Sequence, residues 1–523
     1  MSPSASTMPP PPGAATAPGS WPWRPELGPG RFRNPIIHAD YSDPDVIRHG
    51  EDFYLTASSF NCTPGLPILH SPDLVHWQLI NHAVRNLPHP RYERVQPGCG
   101  IWAPALRFHA GRFWIFFPMP DEGIYVTTAA RPEGRWSEPH LLQAGQGLID
   151  PCPLWDDDGR AYLVHAYAGS RAGIKHRLRV CPMAPDATRL LGEGQIVFHE
   201  PERHPTVEGP KFLKRDGWYY LFAPAGGVAT GWQIALRSRH IFGPYEDRVV
   251  LAQGGTAVNG PHQGALVDTP NGEWWFIHFQ DAGVYGRLVH LQPVRWQDGW
   301  PVIGRPAENG GVSEPVLDCA LPALAAASND VPQTSDEFDA PQLGFQWQWH
   351  ANHRDDWWSL RARPGWLRLF AQPNAGAHLS NLPHLLAQKF PARTFVVETR
   401  VELNAANNGD EAGLAVVGRE DAAIALVRAG AGCQIICRQN CKITPLAALA
   451  ERGGRLQLHV ADGGLCRFAF IGSDGHFIFA PEPFAAQPGV WIGAKVGLYC
   501  SQTTGAGGHA DFDYFRFSAT DPS

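Results

Sequence analysis

One short pattern recurs five times between residues 43 and 276. The copies begin at Asp43 (DPDVIRHGEDFYL), Trp102 (WAPALRFHAGRFWIFF), Asp150 (DPCPLWDDDGRAYLV), Glu208 (EGPKFLKRDGWYYLF) and His262 (HQGALVDTPNGEWWF). Each copy is an apolar run led by a polar or aromatic residue, then a polar turn with Gly, then an aromatic-rich run. The turns carry Gly50, Gly111, Gly159, Gly217 and Gly272, amid Asp, Asn and other polar residues. Such turns tolerate positive φ in tight hairpins, and β-branched and aromatic residues suit the flanking strands. Successive copies are 48 to 59 residues apart. A period of about 40–50 residues, stretched by loops, is that of propeller blades.

A second motif follows three copies: HSPDLVHW (70–77), TAARPEGRW (128–136) and RSRHIFGPY (237–245). It supplies a further strand, a turn and an aromatic residue for the blade. Four strands per repeat, five times over, predict an all-β, five-bladed β-propeller over residues 31–305. Innermost strands surround a central channel, so Asp43, Trp102, Asp150, Glu208 and His262 are expected to face one another. An Asp-Pro pair is by itself an ordinary turn initiator. Carboxylates at the same position of three repeats argue for more than turns.

Composition narrows the partners. The net charge is −7 and there is no dense basic stripe, which argues against nucleic acid or an anionic membrane surface. No run of about 18 apolar residues exists to span a bilayer. The 19 Trp and 26 Phe fill blades first, and aromatic faces also pack against sugars. Residues 1–30 form a Pro/Ala-rich arm without the basic start and apolar stretch of an export signal. The compartment is therefore open: cytoplasmic, or periplasmic or secreted after loss of a signal. Oligomeric state is equally open. The ten Cys are scattered, and Cys433, Cys437 and Cys441 lack the CxxC or clustered His of a zinc site. Buried free thiols are expected.

Residues 306–335 read as a linker, and 336–523 as a second all-β domain. Alternating runs such as TFVVETRVEL (394–403), AAIALVRA (422–429) and ADFDYFRFS (510–518), with no helical stretch between them, indicate a β-sandwich of concanavalin-like type. Its roles would be support or carbohydrate contact.

A ring of carboxylates at the mouth of a wet channel suits glycoside hydrolysis. One carboxyl donates a proton to the leaving oxygen and the other attacks or activates water. Partners on different blades favour a separation of about 6.5–9.5 Å, with room for water and hence inversion. A third carboxylate near the acid keeps it protonated by disfavouring a second ionisation. The acidic run Asp156, Asp157 and Asp158 is expected to be a solvated turn. No phosphate-binding Gly loop or redox cofactor is indicated.

The segments NPIIHADYSDPDVIRHGEDFYL, GIWAP, LIDPCPLWDDDGRAYL, EGPKFLKRDGWYYL and GRLVHLQPVRW resemble the signature segments of glycoside hydrolase family 43. The tail resembles the accessory sandwich of its β-xylosidase-like members. That resemblance implies Asp43 as general base, Glu208 as general acid and Asp150 as the carboxylate that tunes and orients the acid. It implies Phe60 and Trp102 as aromatic walls around the terminal sugar and Arg287 as the Arg reaching it. It also implies His262 near the axis, holding water or a Ca²⁺ ion, or neither. The expected activity is exo-acting, inverting release of terminal β-D-xylose or α-L-arabinofuranose from hemicellulose oligosaccharides, the two sugars near parity. An endo-acting arabinanase and a non-catalytic carbohydrate-binding propeller are the alternatives.

Overall fold

The computed structural model describes residues 22–307, 310–324, 328–374, 378–505 and 507–520. Most of the expected N-terminal arm lies outside them. Five four-stranded antiparallel sheets follow one another at 45–84, 105–144, 148–198, 211–251 and 262–303. These are the five blades that the hairpin repeat called for. All five turn glycines have positive φ, and the pairing is tight around them: His49 faces Asp52 across Gly50. The aromatic runs become second strands buried between blades. Along Arg112–Met119, the side chains of Phe113, Ile115, Phe116, Phe117 and Met119 are all shut off from solvent. Trp77 and Trp136, from the second motif, are buried as expected.

The ring is held shut by segments outside the blades. Ile37 bridges Val289 of the last blade, and strand Arg31–Arg33 pairs with Asp318–Ala320. The stretch following the propeller thus folds back onto the one preceding it.

The second domain is a sandwich of two eight-stranded sheets. The sequence motifs omitted one of its hairpins, Gly432–Gln439 with Lys442–Leu449. Side-chain alternation along the first strand turns Cys433 and Cys437 inward, whereas Cys441 sits in the turn and is exposed. All ten cysteines are free; seven are buried, but Cys99 and Cys319 are half-buried. The expectation of buried thiols therefore fails at three positions: Cys99 lies in a loop, Cys319 in a three-residue strand whose neighbours are exposed, and Cys441 in a turn.

The domains share a packed interface. Val284, Tyr285 and Leu288 of the propeller belong to the sandwich's hydrophobic core. Thr63 and Trp349 exchange both backbone hydrogen bonds, at 3.0 and 2.6 Å, and Asn61 Nδ2 donates to His350 O at 2.7 Å. This docking brings a sandwich loop over the mouth of the propeller channel.

Candidate active site

Each of the three carboxylates sits where a blade's innermost strand begins or buckles. Asp43 lies two residues before strand Asp45–His49, at φ 55°. Asp150 occupies a bulge in Leu148–Trp155, where the register shifts between Ile149 and Cys152, at φ 56°. Glu208 stands just before Lys211–Arg215, and its N–H donates to Pro224 O at 3.1 Å. Next to it, Gly209 has φ 58°, and a Cβ there would come within 2.9 Å of Gln263 and Pro224. Phe60 has φ 51°. A non-glycine residue at positive φ costs about 1–3 kcal/mol and persists only where its surroundings hold it. Here the bulges and turns aim side chains into the channel.

They converge on a cavity of about 220 Å³ lined by Asp43, Phe60, Trp102, Asp150, Glu208 and Arg287, together with Tyr167, Lys175, Gln263 and Trp491. Six of the seven residues singled out in the sequence meet there. His262 does not. Its side chain is fully buried beneath the cavity, packed against Phe279 with ring centroids 5.4 Å apart. The cause is a bulge in the fifth blade, where the register shifts between His262 and Gly264. Gln263, at φ 34°, takes the cavity position that His262 was expected to fill.

Two further wall residues had no usable sequence signal. Lys175 comes from the loop after the short helix Gly169–Ala172. Trp491 comes from the sandwich, 45% exposed, edge-on to Trp102 with centroids 6.1 Å apart. Its loop is tied down where Gly493 N–H donates to Asp40 Oδ2 at 2.9 Å. The Arg171 guanidinium lies 5.0 Å from the Trp102 ring.

The three carboxylates have unlike surroundings. Asp43 accepts hydrogen bonds from Ser58 Oγ at 2.5 Å and Ser42 Oγ at 3.0 Å, and pairs with Arg287 Nη1 at 3.1 Å. Arg287 is anchored in turn by its own N–H, which donates to Asp40 Oδ1 at 2.9 Å. Asp150 accepts the Gly209 N–H at 2.7 Å. Burial nevertheless pushes its carboxyl up to about 7, with the Asp43 charge adding to the rise against the Gly209 hydrogen bond. Glu208 is pushed up further, to about 8, first by burial, then by Asp150 and Asp43, with Arg287 and Lys175 opposing. A carboxyl that keeps its proton at neutral pH thus faces one that is paired with a guanidinium. That is the donor and acceptor pair that general acid–base chemistry needs.

His262 Nε2 lies 3.5 Å from Glu208 Oε1. Burial, with Arg287 adding, holds the imidazole down to about 3, so the contact is between neutral groups, not an ion pair. Calcium takes six to eight oxygen ligands. Around His262 the structure offers one neutral imidazole and one protonated carboxyl. Among the described residues no group of three or more His, Cys, Asp or Glu could hold a metal. His262 and Glu208 by themselves do not supply such a shell.

Two other buried acidic residues tie blades together. Asp45 is fully buried, bonded to Leu106 N–H at 2.6 Å and Arg107 at 2.7 Å, joining the first two blades. Of the expected solvated turn, Asp157 and Asp158 are exposed but Asp156 is not. It ion-pairs with Lys214 and accepts the Tyr219 hydroxyl at 2.6 Å, joining the third and fourth blades.

Comparison with known proteins agrees with this geometry. The profile described as "Glycosyl hydrolases family 43" matches residues 32–301, and that of "Beta xylosidase C-terminal Concanavalin A-like domain" matches 335–518. The chain belongs to glycosyl hydrolase family 43. Within family 43, a Xylanibacter ruminicola protein provisionally named a beta-xylosidase is 40% identical over 90% of this chain and 86% of its own. A Bacteroides ovatus non-reducing end alpha-L-arabinofuranosidase is 31% identical over 76% of each chain. The crystal structure of a xylan beta-1,4-xylosidase from Bacillus halodurans superposes with a TM-score of 0.82 at 26% identity, covering 93% of this chain and 99% of that one. The family 43 chain described here is a glycosidase built as a propeller with a concanavalin-like sandwich.

Proposed function

We propose that this glycosidase removes single β-D-xylose or α-L-arabinofuranose residues from the non-reducing ends of hemicellulose oligosaccharides, with inversion. Asp43 is the general base, Glu208 the general acid, and Asp150 holds Glu208 in its protonated form. A water beside Asp43 gives up a proton to that carboxylate as its oxygen attacks the anomeric carbon. The glycosidic oxygen leaves with the Glu208 proton. Arg287 holds the base in place, and Phe60, Trp102 and Trp491 form apolar walls for a sugar ring.

The observation that carries this reading is the meeting of three carboxylates from three blades in one small cavity, with Glu208 raised to about 8. Trp491 favours exo over endo action. The sandwich loop adds a wall to the cavity, which suits a chain end better than an internal chain segment. A purely sugar-binding propeller has no use for a carboxyl poised to donate.

The relatives named above span both pentoses, and the test addresses both. Hydrolysis of xylobiose and of an arabinofuranosyl oligosaccharide is followed by proton NMR. The expected outcome is monosaccharide released first as the anomer opposite to the bond cleaved. Cleavage of the oligosaccharide that released no monosaccharide would exclude the exo reading, and retention would exclude Asp43 as a base acting through water.

A further inference from the structure

Cys441, the exposed member of the Cys433–Cys437–Cys441 series, is not among the residues that line the cavity and plays no part in the glycosidase chemistry. It stands in a three-residue constellation. Its Sγ is 3.1 Å from His378 Nε2, and His378 Nδ1 is 3.3 Å from Asp421 Oδ2. Asp421 is fully buried, and Ser380 also donates to its Oδ2 through N–H at 3.3 Å and hydroxyl at 3.1 Å. A buried carboxylate on Nδ1 selects the tautomer with the proton on that nitrogen, leaving Nε2 as an acceptor facing the thiol. The sequence of contacts is thus nucleophile, base and orienting acid.

The arrangement is held by the backbone. Cys441 follows Asn440, at φ 51°, in the turn between Gly432–Gln439 and Lys442–Leu449. Asn440 N–H donates to Asp421 O at 2.7 Å, and Asp421 N–H donates back to Asn440 Oδ1 at 3.0 Å. The turn carrying the thiol and the strand carrying the orienting acid are therefore clamped together. His378 precedes the short 3₁₀ turn Leu379–Asn381, whose Ser380 shares the same carboxylate.

We propose that Cys441 is a modification site, a thiol activated by His378 and Asp421 that exchanges with low-molecular-weight disulfides. His378 takes the thiol proton, and the Cys441 sulfur attacks one sulfur of the disulfide RSSR. A bond forms between Cys441 Sγ and that sulfur, the S–S bond of RSSR breaks, the other sulfur leaves as the thiolate RS⁻, and the proton held by His378 neutralises it. The incoming disulfide is the oxidant, so one thiol and one disulfide bond stand on each side of the exchange. The other nine cysteines are buried or half-buried and are expected to react slowly in the folded protein.

The test treats the full chain with glutathione disulfide, and separately with an aromatic disulfide that releases a coloured thiolate. Peptide mass mapping assigns the site. One fast equivalent is expected, mapped to Cys441, absent in Cys441→Ser and slowed about tenfold at neutral pH in His378→Ala and His378→Gln. Thermal melting of each variant verifies that it is folded, and pentosidase activity of Cys441→Ser should match that of the parent. A fast equivalent mapped to Cys99 or Cys319 would overturn the proposal. So would folded His378 variants whose Cys441 reacts as fast as the parent, since exposure alone would then explain the reactivity.

Discussion

Replacing Asp150 by Asn removes one charge beside Glu208 while keeping an oxygen to accept the Gly209 N–H. Glu208 rises from 4.5 to about 8, a differential of about 5 kcal/mol between its protonated and ionised forms at 1.36 kcal/mol per unit. Burial is the first cause, Asp150 the second and Asp43 the third. Burial and Asp43 remain in the variant, so the rise is only partly reversed. A single charge within about 4–6 Å is worth roughly 1–3 units. The alkaline limb of kcat/KM, which reports the free enzyme, is expected to move down by about 1–2 units. Xylobiose is the substrate of choice, because a nitrophenolate leaves without needing the acid's proton. Below the shifted limb Asp150→Asn retains activity; above it, the rate falls about tenfold per unit. An alkaline limb at the parental pH would refute the account of Asp150 as the residue that keeps Glu208 protonated.

Glu208→Gln is expected to lose about 10²–10⁴ in kcat while still binding xylose, measurable by calorimetry. The same variant tests linkage. The folded state holds a proton on Glu208 from pH 4.5 to about 8 that the unfolded chain has released, so the parent loses stability as pH rises through that window. The Tm advantage of Glu208→Gln should therefore be near zero at pH 4.5 and grow to a plateau above pH 8; a constant difference would contradict the raised carboxyl. Trp491→Ala removes a wall contributed by a half-exposed side chain, so a several-fold rise in KM with an unchanged Tm is expected. An unaltered KM would mean the sandwich loop does not touch substrate. Dialysis against EDTA is expected to leave activity intact, given the donors around His262; loss restored by Ca²⁺ would reverse that reading.

Much of this molecule was legible locally. Gly50, Gly111 and their counterparts marked hairpins because only a turn needs positive φ there, and their recurrence defined the blades. The leading carboxylates stood out because equivalent positions of a closed ring must lie near its axis. Other features escaped. His262 and Gln263 are neighbours in sequence, and a one-residue bulge decides which of them faces the sugar. Nothing in HQGAL announces a bulge, since it depends on how the strand fits its partner and on Gly209 opposite. Asp156 looked like part of a solvated run because its cation, Lys214, arrives from the next blade.

Side-chain periodicity and turn chemistry, which act over a few residues, were enough to specify a propeller, a sandwich and three acidic side chains at the hub. Contacts between residues distant in the chain decided the rest. Trp491 reaches the cavity only because the sandwich docks on Thr63 and Asp40, and Cys441 meets His378 only because the turn carrying the thiol and the segment carrying His378 both bond to Asp421. Glu208 keeps its proton because folding buries it beside like charges, and burial is a property of the assembled ring rather than of any one blade.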